Sequence, residues 1–402
     1  MTVLRRRFAL ACLLHATVIG AGYMSLPPMF ASMVKEGWSV LALQQAWAAI
    51  PLGSAPGALI AASAIRRFGA PAVITWSSIA ASAAIALRAL SDGVVPFSAA
   101  LAVYGFMTGV LLATLTVEVG RSVSARRAGV AQALFFGSYA IGAALAVGLA
   151  GLSVQLLGWR AVCWAVSAIG FLLAMSSWRS PPVVPADEAV LGRASTWENK
   201  LTSLRYSAAY AAYVGGYLAL AGLLPYQLEK WGWAPELASL SLAMTTAAFL
   251  IGACLWTVLT DALGGRLIVF AITMILSGLS TALIVLFARG ESNPVAWSVI
   301  AAVGFFGGGM AVFFPLLLAD VRLGSLNGAP SVGHATAASY LGGAVLPFAL
   351  AGLSATRPDG AIALFGLSIA AAGLLLPRPA SAAAATSGTL AKSSSCKRDH
   401  VA

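Results

Sequence analysis

RSPPVVPADEAVLGRASTWENK, running from Arg179 to Lys200, is the least membrane-like stretch of this 402-residue chain. It holds three prolines (Pro181, Pro182, Pro185) and six charged residues, where charged residues make up only 9% of the whole. Proline disfavours helix, and charges are costly in hydrocarbon. Long, almost unbroken apolar sequence lies on either side. The stretch therefore reads as a hydrophilic connector between two membrane-embedded halves.

Composition supports that frame. Sixty per cent of residues are hydrophobic and the mean hydropathy is +0.89, whereas a soluble domain is about 45–50% apolar and about 25% charged. About 20 apolar residues are needed to cross roughly 30 Å of hydrocarbon as a helix. Cutting the chain at charges and turn residues gives twelve spans: 8–30, 39–62, 71–91, 94–119, 128–152, 160–178, 205–227, 236–260, 267–288, 294–319, 331–354 and 360–377. The alternation of a membrane barrel is absent. The expected fold is an all-α membrane protein of twelve transmembrane helices in two six-helix bundles. Residues 1–178 form the first bundle, 179–204 the connector, 205–378 the second bundle and 379–402 a disordered tail rich in alanine and serine.

The net charge of +11 is explained by placement. With twelve spans and the N-terminus in the cytoplasm, 18 of the 24 basic residues fall on the cytoplasmic side. The other 6 are Lys35, Arg88, Arg160, Lys230, Arg289 and Arg357. That asymmetry fixes orientation, puts both termini in the cytoplasm, and removes any need for a nucleic-acid partner. Arg5-Arg6-Arg7-Phe8 before an apolar run has the look of a secretory or twin-arginine signal, but the run continues to Phe30 and eleven more spans follow. It is read as span one.

Two short basic turns recur at matching places. Ile65-Arg66-Arg67-Phe68-Gly69-Ala70 follows span two, and Thr260-Asp261-Ala262-Leu263-Gly264-Gly265-Arg266 follows span eight. They mark an internal repeat of two six-helix units. On these turns the chain resembles the major facilitator superfamily, whose loop after the second helix reads Gly-x-x-x-Asp-Arg-x-Gly-Arg-Arg, with a weaker copy after the eighth. Arg67 and Gly69 match the first copy, with Arg66 standing where the family has its aspartate. Asp261, Gly264 and Arg266 match the second. The resemblance implies an inner-gate role for both loops, with the acidic latch resting on Asp261. Gly158-Trp159-Arg160 matches the family's start of helix six. The family's antiporters carry an arginine in helix four where this chain has Gly105, and a Gly-Pro pair in helix five where this chain has only glycines. Tyr340 to Pro347, Tyr213-Val214-Gly215 and Phe314-Pro315 are similar to the fucose-type sugar symporter branch, although its helix-seven acid falls near Gly216.

Candidate site residues follow from rarity and spacing. His15 lies well inside span one, with Tyr23 near that span's outer end. It is either functional or a neutral histidine bonded to a neighbouring helix. In span seven, Tyr206, Tyr210, Tyr213 and Tyr217 fall on one helical face. Tyr206 also suits the aromatic belt. The resemblance places helix seven on the central path, so the stripe either lines it or packs against neighbouring helices. Tyr104 and Thr108 join it from span four. Glu118 is either a proton-binding acid or an interfacial acid answering Arg121, Arg126 or Arg127. Asp320 is the third proton-coupling candidate. Arg88 and Asp92, four apart, read as a helix-end pair.

Four cysteines show no paired spacing, so no disulfide framework or metal site is indicated, and no cofactor is expected. Phosphate-cradling and hydrolytic motifs are absent. The reading is a monomeric secondary transporter of the inner membrane rather than an enzyme. It moves a small-molecule substrate through the lipid bilayer by alternating access with protons as partner, leaving a uniporter or a non-transporting receptor as alternatives. With the native cysteines replaced, an impermeant thiol reagent on sealed cells is expected to label Lys230→Cys and Glu291→Cys and to miss Ser195→Cys. Labelling at 195 would overturn the orientation.

Overall fold

The computed structural model describes residues 3–121, 128–177, 197–263, 265–319 and 328–376, and every regular element among them is helical. Eleven of these helices are long and apolar enough to cross a membrane. The remaining predicted span, 331–354, is a helix over Gly328–Ala349. It is long enough, but His334, Thr336, Ser339 and its glycines make it less apolar than the rest. The twelve-helix reading holds. Most of the opening stretch (178–196), the tail from 377 onwards, and two candidate residues, Gly264 and Asp320, lie outside the described residues.

Boundaries moved where local chemistry demanded. Span one is helical from Val3, becomes a π-helix over His15–Ala21, and continues through Gly22–Met24 and Leu26–Lys35. Span seven belongs to Trp197–Lys230, eight residues longer at its start than predicted. Spans five and six form one helical stretch, Ala128–Ser177, turned at Gly158 with φ 78° and ψ 160°. Gly69, at φ 79°, turns the chain between spans two and three. Both conformations are ones that L side chains avoid.

The repeat legible in two loops reappears in the packing. Spans one and five, two and four, and three and six pair in the first half. Spans seven and eleven, eight and ten, and nine and twelve pair in the second. Glycines set several of these contacts. A Cβ on Gly53, Gly57, Gly105 or Gly109 would collide with backbone of the partner helix between spans two and four. Gly252, Gly304 and Gly308 do the same between eight and ten, and Gly278 and Gly366 between nine and twelve. Apart from polar bonds, helices in hydrocarbon associate mainly by close packing, and small residues let backbones meet. The halves touch through spans two and eleven and spans five and eight, where Ala55 and Ala58 meet Ala337 and Tyr340.

The glycine contacts are testable. A Cβ at Gly142 would fall on the Ala16 carbonyl, whereas one at Gly148 would meet nothing within 4 Å. Gly142→Val is expected to lower stability by about 1–3 kcal/mol, read as a reduced thermal midpoint in detergent. Gly148→Val should leave the midpoint near wild type.

Candidate functional site

Between the halves lies a cavity of about 150 Å³ bounded by residues of spans one, two, four, five, seven, eight, ten and eleven. All seven residues placed on the path from sequence border it: His15, Tyr23, Tyr104, Thr108, Tyr210, Tyr213 and Tyr217. Tyr139 and Tyr340 border it as well, so seven of the chain's nine tyrosines meet at one void. Neither Lys, Arg, Asp nor Glu is among the lining residues.

His15 sits at the start of the π-segment. Its Nδ1 lies 2.8 Å from the Phe135 carbonyl. A carbonyl only accepts, so Nδ1 carries the proton and the neutral ring's Nε2 is the acceptor. The ring stacks on Phe135 at 4.0 Å and 15°, and meets Tyr139 at 5.6 Å. This histidine is thus bonded to a neighbouring helix and also borders the cavity.

Below the void an aromatic floor joins the halves. Phe136 of span five stacks on Phe314 of span ten, with centroids 5.5 Å apart and planes 4° apart. Phe314 meets Tyr210 edge-on at 5.4 Å, and Phe136 meets His15 at 5.9 Å. Phe136 is near the start of an odd-numbered span and Phe314 near the end of an even one, so this floor lies toward the end of the bundle from which span one begins. Tyr206, read as one of the stripe or as a belt residue, is buried and packs edge-on against Phe313. It neither borders the cavity nor faces lipid, because Phe313 covers it. Tyr213 donates to the Gly307 carbonyl at 3.3 Å and stacks on Tyr217.

Tyr104 serves the wall and the scaffold together. Its hydroxyl reaches the Val18 carbonyl at 2.7 Å and the Ile19 carbonyl at 3.1 Å, within the π-segment. The Arg88 guanidinium lies 4.0 Å from its ring centre and donates to the Gly22 carbonyl at 2.8 Å. Arg88 is therefore not paired with Asp92. It is fully buried, while Asp92 is 94% exposed and its ion-pair contact is with Arg160. A charge inside a span costs about 2.5–3.5 kcal/mol on an insertion scale. A charge-assisted hydrogen bond of about 1.5–3 kcal/mol and a desolvated cation–π contact of about 2 kcal/mol are of that size. The ring and carbonyl thus offset much of that cost without a carboxylate, while the Nε and Nη2 of Arg88 have no hydrogen-bond partner among the described residues.

The other sequence candidates lie elsewhere. Glu118 pairs with Arg7 of span one at 3.4 Å, and both are largely buried away from the cavity; Arg126 and Arg127 lie outside the described residues. Asp261 pairs with Arg266 of its own loop at 3.0 Å. Arg66 donates to Ser63, and Arg67 lies over Phe68. Tyr139 and Tyr340 were missed as path residues; only the packing of spans five and eleven brings them to the cavity. Tyr104→Phe removes the donor to two carbonyls and is expected to cost about 1–2 kcal/mol of stability. A thermal midpoint equal to wild type would show that the span-one carbonyls do not depend on it.

Residues 12–209 match the family model described as Major Facilitator Superfamily. No match to a curated protein sequence was found. Two crystal structures share the fold. The E. coli fucose:proton symporter FucP, in an alanine-substituted form, is 15% identical with a TM-score of 0.70, over 93% of this chain and 98% of that one. FucP described as a Major Facilitator Superfamily transporter in the outward conformation is 16% identical with a TM-score of 0.71, over the same shares. The first half of the chain thus matches the Major Facilitator Superfamily model in sequence, and nearly the whole length has the fold seen in FucP.

Proposed function

We propose that this protein is a secondary active transporter of the inner membrane that moves a small organic solute by alternating access, coupled to protons through His15. Residues 1–178 and 205–378 act as the two moving halves, joined by 179–204, with both termini in the cytoplasm. The observation that carries the proposal is the cavity at the meeting of the halves, bordered by seven tyrosines and one histidine. Under this reading the aromatic floor is the closed inner gate, and the solute is admitted from outside.

His15 suits the coupling role by its surroundings. Nδ1 is held by the Phe135 carbonyl, so a second proton adds at Nε2. That step turns an acceptor into a donor and places one charge in a cavity bordered by no other charged residue. Histidine makes that change nearest neutral pH. Glu118, held by Arg7, does not border the cavity. The lack of any carboxylate among the lining residues favours a second reading, uniport, in which no proton moves.

Accumulation in proteoliposomes under an imposed proton gradient separates the two. Wild type is expected to concentrate its solute, and His15→Gln to exchange it without concentrating it. Glu118→Gln should still concentrate it. Equilibration alone by wild type, whatever the gradient, would establish uniport. Accumulation by His15→Gln would move the coupling group elsewhere.

A further inference from the structure

We propose that the central cavity takes a planar, uncharged solute of a single ring, with its polar groups at the ring edge, rather than a sugar. This rests on reading the cavity as the transport site.

Size is the first argument. A cavity of about 150 Å³ is the volume that holds one benzene ring in an engineered apolar core. Surface chemistry is the second. Carbon covers most of the wall, seven tyrosines border it, and Tyr213 and Tyr217 lie nearly parallel at 11°. Flat π-faces favour a flat partner in offset or edge contact.

Hydrogen-bonding supply is the third. Ser54, Thr108, Thr246 and Ser339 all border the cavity, yet each donates its hydroxyl proton to a backbone carbonyl of its own helix. Tyr104 likewise donates to span one. A hexose carries hydroxyls around its whole rim, and each loses water on entering. Too few groups stand ready to replace that water, and an unreplaced hydrogen bond in an apolar site is penalised. A planar ring needs partners only where its few polar atoms lie. His15 Nε2 and the Tyr139 hydroxyl can meet those atoms.

Charge is the fourth. None of the lining residues is acidic or basic apart from the histidine, and Arg88 stands behind Tyr104 with the Gly22 carbonyl as its partner. While His15 is neutral, an ionised solute would leave water with no counter-charge in contact.

The test uses the full-length chain with nicotinamide and benzamide as planar probes and L-fucose and D-galactose as sugars. Thermal stabilisation in detergent reads binding, and counterflow in proteoliposomes reads transport. The planar probes are expected to stabilise the protein and to exchange, and the sugars at equal concentration to do neither. Binding of nicotinamide without flux would leave the solute class standing and overturn the transporter reading. Sugar flux without nicotinamide binding would leave the transporter reading and overturn this proposal, as would binding of neither class. If ring faces dominate, Tyr139→Leu should weaken nicotinamide binding up to about tenfold more than Tyr139→Phe. Equal losses would count against it.

Discussion

Helices surrounded by hydrocarbon gain little from burying apolar side chains against one another, since lipid tails are equally apolar. Close backbone approach is what remains, and here it is made by glycine. Gly53 and Gly57 of span two lie against Ala102 and Phe106, and Gly105 and Gly109 of span four against Ile50 and Ser54, so closely that a methyl group on any of them strikes backbone of the opposite helix. This explains a departure from the family's antiporters. The arginine they carry in helix four has no room at Gly105, whose Cβ would lie against Ile50. Contacts between the halves are of another kind. They run mostly through side chains, with Phe136 on Phe314 and Ala55 and Ala58 against Ala337 and Tyr340. Backbone-to-backbone seams hold each half together, and side-chain seams lie where the halves meet.

Span one departs from regular helix where it passes the cavity. A π-segment is uncommon and clusters at functional sites. Its wider turn directs carbonyls toward neighbours, and two neighbours answer: Tyr104 at Val18 and Ile19, and Arg88 at Gly22. From the other side Gly142 lets span five reach Ala16. The segment is therefore held from spans three, four and five together, which fixes His15 against Phe135.

Much of this was legible in residue order. Apolar length gave the spans, and the 4-3-4 spacing put the span-seven tyrosines on one face, three of which border the cavity that the family resemblance assigned to helix seven. Local spacing failed where partners are remote in sequence. Arg88 and Asp92 satisfy an i, i+4 rule that presumes an exposed helix surface, but Arg88 points inward to a carbonyl 66 residues away. Glu118 finds its partner 111 residues back, at Arg7. The π-segment has no sequence sign beyond Gly20 and Gly22. Tyr139 and Tyr340 are single residues, and only the meeting of two halves makes them part of one wall.

The strength of the floor is itself informative. An aromatic pair such as Phe136 on Phe314 is worth about 0.5–1.5 kcal/mol beyond its buried area. A solute can shift an equilibrium only by its differential affinity for the two states. A gate held by a dense charged network would need more than a small uncharged molecule can supply. A gate held by stacked rings and alanines lies within its reach. The same floor carries Tyr210 on one side and His15 on the other. Any parting of Phe136 from Phe314 therefore alters the surroundings of the histidine and of the tyrosine stripe in one movement. In the cycle proposed above, that shared contact would let occupancy of the cavity and the protonation of a single imidazole be felt by both halves without a charge passing between them.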